Sequence, residues 1–307
     1  MENIRFVDEA LIYLKAGKGG EGSSARRRFR SHFVNWGGDG GRGGSIYIQA
    51  DGNIFDLSKY LNKNSFRAPC GFCGSSNNKK GRDAQDLVLK VPAGTFVKNM
   101  SQETLFDLAD SKERYLLVQG GSGGKGNWKR RHTVPASEGQ EINIILDLRI
   151  IADVAILGAT NAGKSTLISQ VTNLTPRISE FPFTTKNPIW AVAKKDYKIF
   201  TILELPAIIG KKNEPPPGVK FLKHLKRVKV IVFLFDSLQG SLEQQLNSLI
   251  KVLDDNGIDY RGKYVLKVVN KVDKIKEKLP RGYFPIEAET GHNLDQFISK
   301  IFDLLDK

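Results

Sequence analysis

The 307-residue chain contains short apolar runs throughout, but the sequence that separates these runs changes near the middle of the chain. In the first half they are bounded by clusters of glycine and have the length and composition of β-strands. These predicted strands lie at 10–14, 45–49, 87–91 and 115–119. In the second half, apolar runs of similar length alternate with stretches of helical period, as in a β-α-β chain. This second set of predicted strands lies at 151–157, 198–203, 229–235 and 263–269.

Three helices are predicted between and after these later strands. One covers 165–171 and a second, amphipathic, covers 240–255. The last has the clearest pattern, because six apolar side chains recur at the spacing of one helix face. They are Leu294, Phe297, Ile298, Ile301, Phe302 and Leu305. The alternation predicts an α/β domain over 151–307, with a mostly parallel sheet covered by helices on both faces.

Glycine separates the two halves as clearly as the apolar pattern does. Of the 30 glycines, 21 lie in 1–150 and nine follow. In the clusters at 17–22, 37–44 and 120–126 glycine recurs every second or third residue. A flexible low-complexity linker is one interpretation, but the interleaved strands disfavour it. We therefore predict a rigid glycine-rich domain over 1–150, in which strands and polyproline-II segments pack closely because the glycines lack Cβ atoms.

Charge narrows the class of protein. The formal net charge is +14, shared equally between the two halves, so we expect a phosphate-rich partner, with nucleic acid first.

No apolar run approaches the roughly 18 residues that span a bilayer, which excludes a membrane protein. The first nine residues carry three acids and no apolar run, so no signal or transit peptide is expected there. The two cysteines, Cys70 and Cys73, are too few for a disulfide framework. Both features favour a reducing compartment, and two free thiols are expected.

A phosphate-binding signature, G-x-x-x-x-G-K-[ST], is matched at 158–165, between a predicted strand and a predicted helix. Backbone N–H groups in such a loop and at the helix start point at phosphate oxygens. Lys164 would reach the β- and γ-phosphates, and the Ser165 hydroxyl would ligate Mg²⁺. The candidate phosphate-site residues are Gly158, Asn161, Ala162, Gly163, Lys164, Ser165 and Thr166.

A second motif specifies the base. Asn270, Lys271 and Asp273 form an N-K-x-D sequence directly after the predicted strand 263–269. An acidic side chain there can accept hydrogen bonds from N1–H and the 2-amino group of guanine, whereas adenine has no such donor pair. Because this tetrapeptide follows a phosphate-binding loop in the chain and lies at the end of a predicted strand, it specifically indicates a guanine-binding site. GTP or GDP with Mg²⁺ is therefore the expected ligand.

The combined segments resemble the Obg family of GTPases, over nearly the whole chain. The segments that carry the resemblance are Phe6-Val-Asp-Glu9, Gly40-Gly-Arg-Gly-Gly44, Lys90-Val-Pro-Ala-Gly-Thr95, Asn161-Ala-Gly-Lys-Ser-Thr166 and Phe181-Pro-Phe-Thr-Thr185. The resemblance implies a monomeric assembly factor of the large ribosomal subunit. Its glycine-rich domain would dock on ribosomal RNA, with other assembly factors as further partners. The absent presequence favours the bacterial cytoplasm, with an organelle matrix, as a processed chain, as the alternative. From the chain length we expect a short form without a C-terminal extension.

The resemblance also assigns roles to individual residues. Thr184 or Thr185 would sense the γ-phosphate, Thr185 through Mg²⁺, and Asn161 would help to hold K⁺ beside the phosphates. Glu287 and Ala288 stand where relatives have a Ser-Ala pair, and the Ala288 N–H would meet guanine O6.

The resemblance fails at the second switch. In the family, the aspartate of a D-x-P-G motif holds Mg²⁺ through water and the glycine offers its N–H to the γ-phosphate. This motif aligns with Glu204-Leu-Pro-Ala207, so both functional positions differ. Glutamate displaces the carboxylate beyond the tolerance of a precise site, and alanine disfavours the positive-φ conformations open to glycine. Three prolines within 211–218 stiffen the segment that follows. As in relatives, no catalytic glutamine follows the motif, since Ile208 supplies none. We therefore expect nucleotide binding with slow or ribosome-dependent hydrolysis; a scaffold that hydrolyses little or no GTP is the alternative.

Basic clusters beside the glycine runs are candidate RNA contacts, because they combine cationic and aromatic side chains. The alternative is an ordinary solvated loop. The candidates are Arg26, Arg27, Arg28, Arg30, Lys125, Lys129, Arg130 and Arg131. His224, by contrast, is expected on a helix surface without a catalytic role.

Overall fold

The computed structural model describes residues 6–109, 114–172, 187–195, 197–209, 216–274 and 279–307. The backbone divides into two compact units, which we call the glycine unit, Phe6–Leu148, and the nucleotide unit, built on Arg149–Lys307. Within the described ranges, no helix combines the length and apolar character needed to cross a membrane.

The glycine unit contains eleven described strands and helices. In chain order they are β1 (Glu9–Lys15), β2 (Arg26–Phe29), β3 (His32–Asn35), β4 (Ile46–Ala50), α1 (Ser58–Asn62), β5 (Ser65–Arg67), β6 (Leu87–Val91), β7 (Thr95–Lys98), β8 (Thr104–Leu108), β9 (Arg114–Val118) and β10 (Glu141–Leu148). They form a five-stranded sheet in the order β5-β1-β10-β7-β8, a three-stranded sheet β6-β4-β9 and the hairpin β2-β3. The four predicted strands are confirmed as β1, β4, β6 and β9.

Strand β10 is central to the five-stranded sheet, although the apolar pattern did not single it out. It pairs antiparallel with both β1 and β7. Ile12 and Leu14 of β1 and Ile144 and Leu146 of β10 are fully buried. This sheet therefore has an ordinary side-chain core.

Between the strands, the glycine runs are neither helix nor strand, yet they hydrogen-bond to one another. Bonds of 2.8 to 2.9 Å run from the N–H groups of Gly17, Gly20 and Ser23 to the carbonyls of Gly44, Gly41 and Gly38. One donor every third residue matches the three residues per turn of polyproline II. The predicted strand and polyproline-II domain is confirmed.

The absence of side chains inside this arrangement is a steric requirement. A Cβ added to Gly43 would lie 2.0 Å from the carbonyl oxygen of Gly17, and one added to Gly40 would lie 1.8 Å from that of Gly20. The segments are therefore packed backbone against backbone.

The nucleotide unit follows the predicted β-α-β order. Its strands and α-helices are β11 (Val154–Gly158), α2 (Lys164–Thr172), β12 (Ile189–Lys195), β13 (Lys198–Glu204), β14 (Val230–Asp236), α3 (Leu242–Asp255), β15 (Tyr264–Asn270), β16 (Tyr283–Pro285) and α4 (Leu294–Leu305). Short 3₁₀ helices cover Val219–Arg227 and Val272–Lys274. The sheet order is β12-β13-β11-β14-β15-β16, in which β12 alone among these described strands runs antiparallel to its neighbour.

Helices cover both faces of this sheet, as predicted. Alternate residues of β14, including Val232, join one apolar cluster with Leu167 of α2 and Phe297 of α4. The intervening residues, such as Phe233, point to the opposite face because side chains alternate along a strand. Helix α3 packs on β14 outside that cluster, with Leu249 buried.

The parallel strands bring polar groups to one edge of the sheet. Gly158, Glu204, Asp236 and Asn270 are the last residues of β11, β13, β14 and β15. Ligands of open α/β sheets bind outside the carboxyl ends of the strands. This edge is therefore where a site is expected.

Candidate nucleotide-binding site

A cavity of about 620 Å³ lies at this edge of the nucleotide unit. It is lined by residues of the loop and helix start at 160–166, by Glu204 at the end of β13 and Ala207 beyond it, and by residues of the segment 270–274, which begins at the end of β15. Glu287 and Glu289 line it from a later loop. The structure thus brings together most of the predicted nucleotide-site residues. Thr184 and Thr185 lie outside the described residues.

The phosphate-binding loop joins β11 to α2, and its backbone takes left-handed conformations at Asn161, with φ 63°, and at Gly163, with φ 91°. The Lys164 ammonium turns back and donates to the carbonyl oxygens of Gly158, at 3.2 Å, and Ala159, at 2.8 Å. Burial lowers the pKa of Lys164, and the Glu204 carboxylate opposes that shift. The loop is therefore already folded around its lysine.

Asn270 fastens this loop to the rest of the site. Its side-chain N–H₂ donates to the Ala162 carbonyl at 3.0 Å, and its Oδ1 accepts from the Ala288 N–H at 2.9 Å. A Cβ on Gly163 would lie 2.2 Å from Asn270 Nδ2, so the close approach requires glycine. Asn270 thus joins three loops, a role that spacing along the chain did not indicate.

Lys271 and Asp273 face the cavity from the same motif. Lys271, with φ 63°, forms a 2.7 Å ion pair with buried Asp236 and donates to the Asn161 carbonyl at 3.1 Å. Asp273 is exposed at the cavity. A fixed lysine beside an exposed carboxylate can hold the face and the donor edge of a guanine base.

Ser165 and Glu204 form the oxygen-rich corner of the cavity. The Ser165 hydroxyl donates to Glu204 Oε1 at 2.8 Å, and Glu204 is only 6% exposed. Among the described residues, Glu204 Oε2 has no hydrogen-bond partner. Burial raises the pKa of Glu204, opposed by Ser165 and Lys164. A hydroxyl and a carboxylate with an unsatisfied oxygen are hard ligands, so these residues fit Mg²⁺.

Ala207 adopts a conformation that suits alanine. It is not among the described non-glycine residues with positive φ. Its carbonyl accepts from the Gly218 N–H at 3.1 Å, and the adjacent Ile208 is fully buried. The segments before and after 210–215 therefore meet at this bond, and the side chain at 208 is packed away from solvent.

The basic cluster near residue 28 lies on the β2-β3 hairpin rather than on a loop. Every residue of β2 is exposed, including Arg26, Arg27 and Arg28. Phe29 and Phe33 are 56% and 67% exposed on the same hairpin. Cationic and aromatic side chains together form a surface suited to phosphates and unstacked bases. Phe29 lies within the predicted cluster, whereas Phe33 was not singled out from the sequence.

The second basic cluster is partly neutralised. Lys125 and Arg130 lie 3.2 and 3.4 Å from the Asp39 carboxylate, and the Lys129 ammonium lies 4.5 Å above the Trp128 ring. Arg131 is exposed. The hairpin therefore presents the stronger cationic surface of the two.

His224 lies elsewhere than predicted. It is fully buried and its Nδ1 accepts from the Ile150 N–H at 3.2 Å, so the expectation of a surface position was wrong. Cys70 and Cys73 are exposed free thiols, as expected. The described residues contain no group of three or more histidine, cysteine or acidic side chains placed to hold a metal.

A phosphate-binding loop, a guanine-type N-K-x-D motif and a parallel sheet define a P-loop guanine-nucleotide-binding protein. Family sequence models agree: "GTP1/OBG" matches residues 7–150, and "50S ribosome-binding GTPase" matches 153–271. The GTPase Obg of Bdellovibrio bacteriovorus is 35% identical, with 97% of each chain covered. That of Chloroherpeton thalassium is 36% identical over 96% of this chain and 91% of the relative. The chain belongs to the Obg family of GTPases.

Among solved structures, a point variant of Era from Aquifex aeolicus, bound to GDP.AlF4-, is 26% identical, with a TM-score of 0.40. The match covers 50% of this chain and 56% of that chain.

Proposed function

We propose that this protein is a guanine-nucleotide-dependent assembly factor of the large ribosomal subunit. The nucleotide unit binds GTP or GDP with Mg²⁺, and the glycine unit docks on ribosomal RNA. The observation that carries the proposal is the joining, in one cavity, of the phosphate loop, Ser165 and Glu204 with Lys271 and Asp273. Large-subunit RNA as the partner is supported by the family model for 50S ribosome-binding GTPases and by the net charge of +14.

Each half of the site has a defined task in this proposal. Backbone N–H groups of 161–166 and the Lys164 ammonium hold the phosphates. Ser165 holds Mg²⁺, and Thr185 is assigned to it by resemblance. Asp273 accepts from the guanine edge, while Glu287 and Ala288 lie on the loop that faces the base. Asn161 is proposed to help hold K⁺.

Hydrolysis is proposed to be slow in the isolated protein. Ile208 is fully buried and apolar, so it does not orient an attacking water. The two altered positions of the switch are Glu204 and Ala207, and the Ala207 carbonyl accepts from the Gly218 N–H. Acceleration would then depend on groups supplied by the ribosome. A scaffold without hydrolysis is the second candidate, favoured by Glu204, Ala207 and the three prolines within 211–218.

The docking surface is assigned first to the β2-β3 hairpin. Arg26, Arg27, Arg28 and Arg30 are exposed there, with the two exposed phenylalanines beside them. We place Lys125, Lys129, Arg130 and Arg131 at the margin of that contact. We also propose that the protein acts as a monomer together with other assembly factors. Its location would be the bacterial cytoplasm or, as the alternative, an organelle matrix.

Base specificity tests the nucleotide assignment. In Asp273→Asn, the side chain presents one donor and one acceptor, which suits xanthine and not guanine. We expect affinity for GDP to fall about 100-fold and affinity for xanthosine diphosphate to rise, because two charge-assisted bonds are lost to guanine. Titration with fluorescent nucleotides measures both. Unchanged GDP affinity would remove Asp273 from the base site.

Turnover separates the two candidate functions. Single-turnover GTP hydrolysis is measured in K⁺ and in Na⁺, with and without purified large ribosomal subunits. Acceleration by subunits supports the assembly GTPase, and bound GTP that never turns over supports the scaffold. Equal rates in K⁺ and Na⁺ would exclude the role of Asn161.

Salt dependence tests the RNA surface. Replacing Arg26, Arg27 and Arg28 together with alanine should weaken binding to large subunits. The slope of log affinity against log salt should fall by about 0.7 for each phosphate that the variant no longer neutralises. The control removes the same charge from exposed lysines of the nucleotide unit: Lys194, Lys251 and Lys300. Equal effects of the two triple variants would contradict a specific hairpin contact.

A further inference from the structure

Glu204 occupies a position from which its carboxylate reaches the phosphate loop. It is the last residue of β13 and pairs with Ile156 of the adjacent parallel strand β11. That register places it beside the loop that follows β11. The 2.8 Å bond from the Ser165 hydroxyl to Oε1 shows that the carboxylate already touches the side chain assigned to Mg²⁺.

The carboxylate is incompletely satisfied in this setting. Glu204 is 6% exposed, and within the described ranges Oε2 accepts no hydrogen bond. The nearby Lys164 is 7% exposed and donates to the carbonyls of Gly158 and Ala159. Leaving a buried charged oxygen unpaired is costly, so the site is poised for a further cation.

A bound nucleotide would increase the requirement for a cation beside Glu204. Lys164 is placed to serve phosphate oxygens, which bring several negative charges next to Glu204. Two anionic groups in a buried site repel each other unless a cation lies between them. A divalent ion that contacts both removes the repulsion.

The length of glutamate determines how that contact is made. A carboxylate that holds Mg²⁺ through a water lies about 4 Å from the ion, whereas a direct oxygen ligand lies about 2.1 Å from it. The extra methylene of glutamate over aspartate adds about 1.5 Å of reach, which covers most of that difference. We propose that Glu204 binds Mg²⁺ directly, next to Ser165, in place of one water. This inference rests on the proposed function of the cavity.

Counting the waters on the ion tests the inference without hydrolysis. Mn²⁺ replaces Mg²⁺ in the GDP complex of the full chain, and ¹⁷O-enriched water broadens its electron paramagnetic resonance lines. The wild type should hold one water fewer than Glu204→Asp, in which the shorter carboxylate leaves room for a water. Glu289→Asp is the matched control, because Glu289 also lines the cavity and should leave the wild-type count unchanged.

Metal affinity supplies the second measurement. Titration of Mn²⁺ into the GDP-bound proteins should show affinity about tenfold lower in Glu204→Gln than in the wild type, because an anionic ligand is lost. Equal water counts would overturn the inference. Tighter Mn²⁺ binding by the variant would also overturn it, and would show that Glu204 keeps Ser165 from the ion. Failure of the wild type to bind GDP would overturn the proposed function as well. Normal GDP affinity with equal water counts would overturn this inference alone.

Discussion

The two units of this protein keep water out by opposite means. The nucleotide unit fills its interior with side chains such as Ile156, Val232 and Phe297, all fully buried. The glycine runs of the other unit fill theirs with backbone, since Gly40 and Gly43 approach neighbouring carbonyls too closely for any Cβ. The side-chain core depends on the apolar atoms that fill it. The glycine runs depend on the absence of Cβ atoms.

This difference changes what stabilises each unit. Apolar burial contributes about 25 cal/mol per Å² in the side-chain core. The glycine runs bury little apolar side chain and rely on hydrogen bonds repeated every third residue. They also bear the entropic cost of ordering glycine. Adding one methyl group should therefore disrupt the glycine runs, whereas removing methyl groups should weaken the nucleotide unit.

The largest effect is expected from Gly43→Ala. The added Cβ would lie 2.0 Å from the Gly17 carbonyl oxygen. The Gly43 N–H donates to Gly121, and the Gly17 carbonyl accepts from Gly121, so a shift of either backbone would strain these hydrogen bonds. We expect a loss of at least about 4 kcal/mol in the free energy of unfolding of the glycine unit. Urea denaturation followed by circular dichroism measures it. Gly52→Ala is the control, because nothing lies within 4 Å of a Cβ there. Similar stability of the two variants would refute backbone-against-backbone packing.

A smaller effect is expected from Ile156→Ala in the nucleotide unit. Removal of a fully buried side chain should cost about 3 kcal/mol through lost transfer energy and a cavity. Addition of GDP identifies the affected unfolding transition, because a ligand stabilises only the unit that binds it. Ile199→Ala, at a residue 61% exposed on the same sheet, should change stability by less than about 0.5 kcal/mol. A change confined to the transition that GDP does not shift would contradict the division into two cores.

The smallest effect, and the only gain, is expected from Glu204→Gln in the nucleotide-free protein. Burial raises the pKa of Glu204, so the folded state holds this proton more tightly than the unfolded state. Its contribution to stability is present below the unfolded pKa and is lost as pH rises through the folded pKa. Glutamine should therefore stabilise the protein by about 1 kcal/mol at pH 8, and by little near pH 4.

Thermal unfolding at the two pH values checks this prediction. Glu289→Gln is the control at an exposed carboxylate of the same cavity. A gain of equal size at both pH values would point to packing rather than charge.

Much of this arrangement could be predicted from the order of residues, but some could not. Glycine spacing predicted the closely packed glycine runs, and the alternation of apolar runs with helical periods predicted the side-chain core, because each has a local period. Strand β10 was missed although its last five residues are all buried. Such a run carries no alternation to mark it as a strand. His224 was misplaced because the period of a short helix does not tell which face turns inward.

The contacts that define the site depend on folding. Ser165 and Glu204 are 39 residues apart, and Asn270 reaches the phosphate loop across 108. Sequence comparison marked Glu204 as a departure from its family. Only the structure shows that its carboxylate meets Ser165.

The close packing of the glycine runs also limits how their sequence can vary. An isoleucine in a side-chain core can be exchanged for leucine or valine and the neighbours adjust. A glycine at position 40 or 43 has no smaller or similar substitute, since all other residues carry the Cβ that the neighbouring carbonyl excludes. Exhaustive mutagenesis should therefore find graded tolerance inside the nucleotide unit and an all-or-none response at these glycines. A fold packed in this way can drift at its surface and at the tips of its loops, while its interior has no neutral path to another sequence.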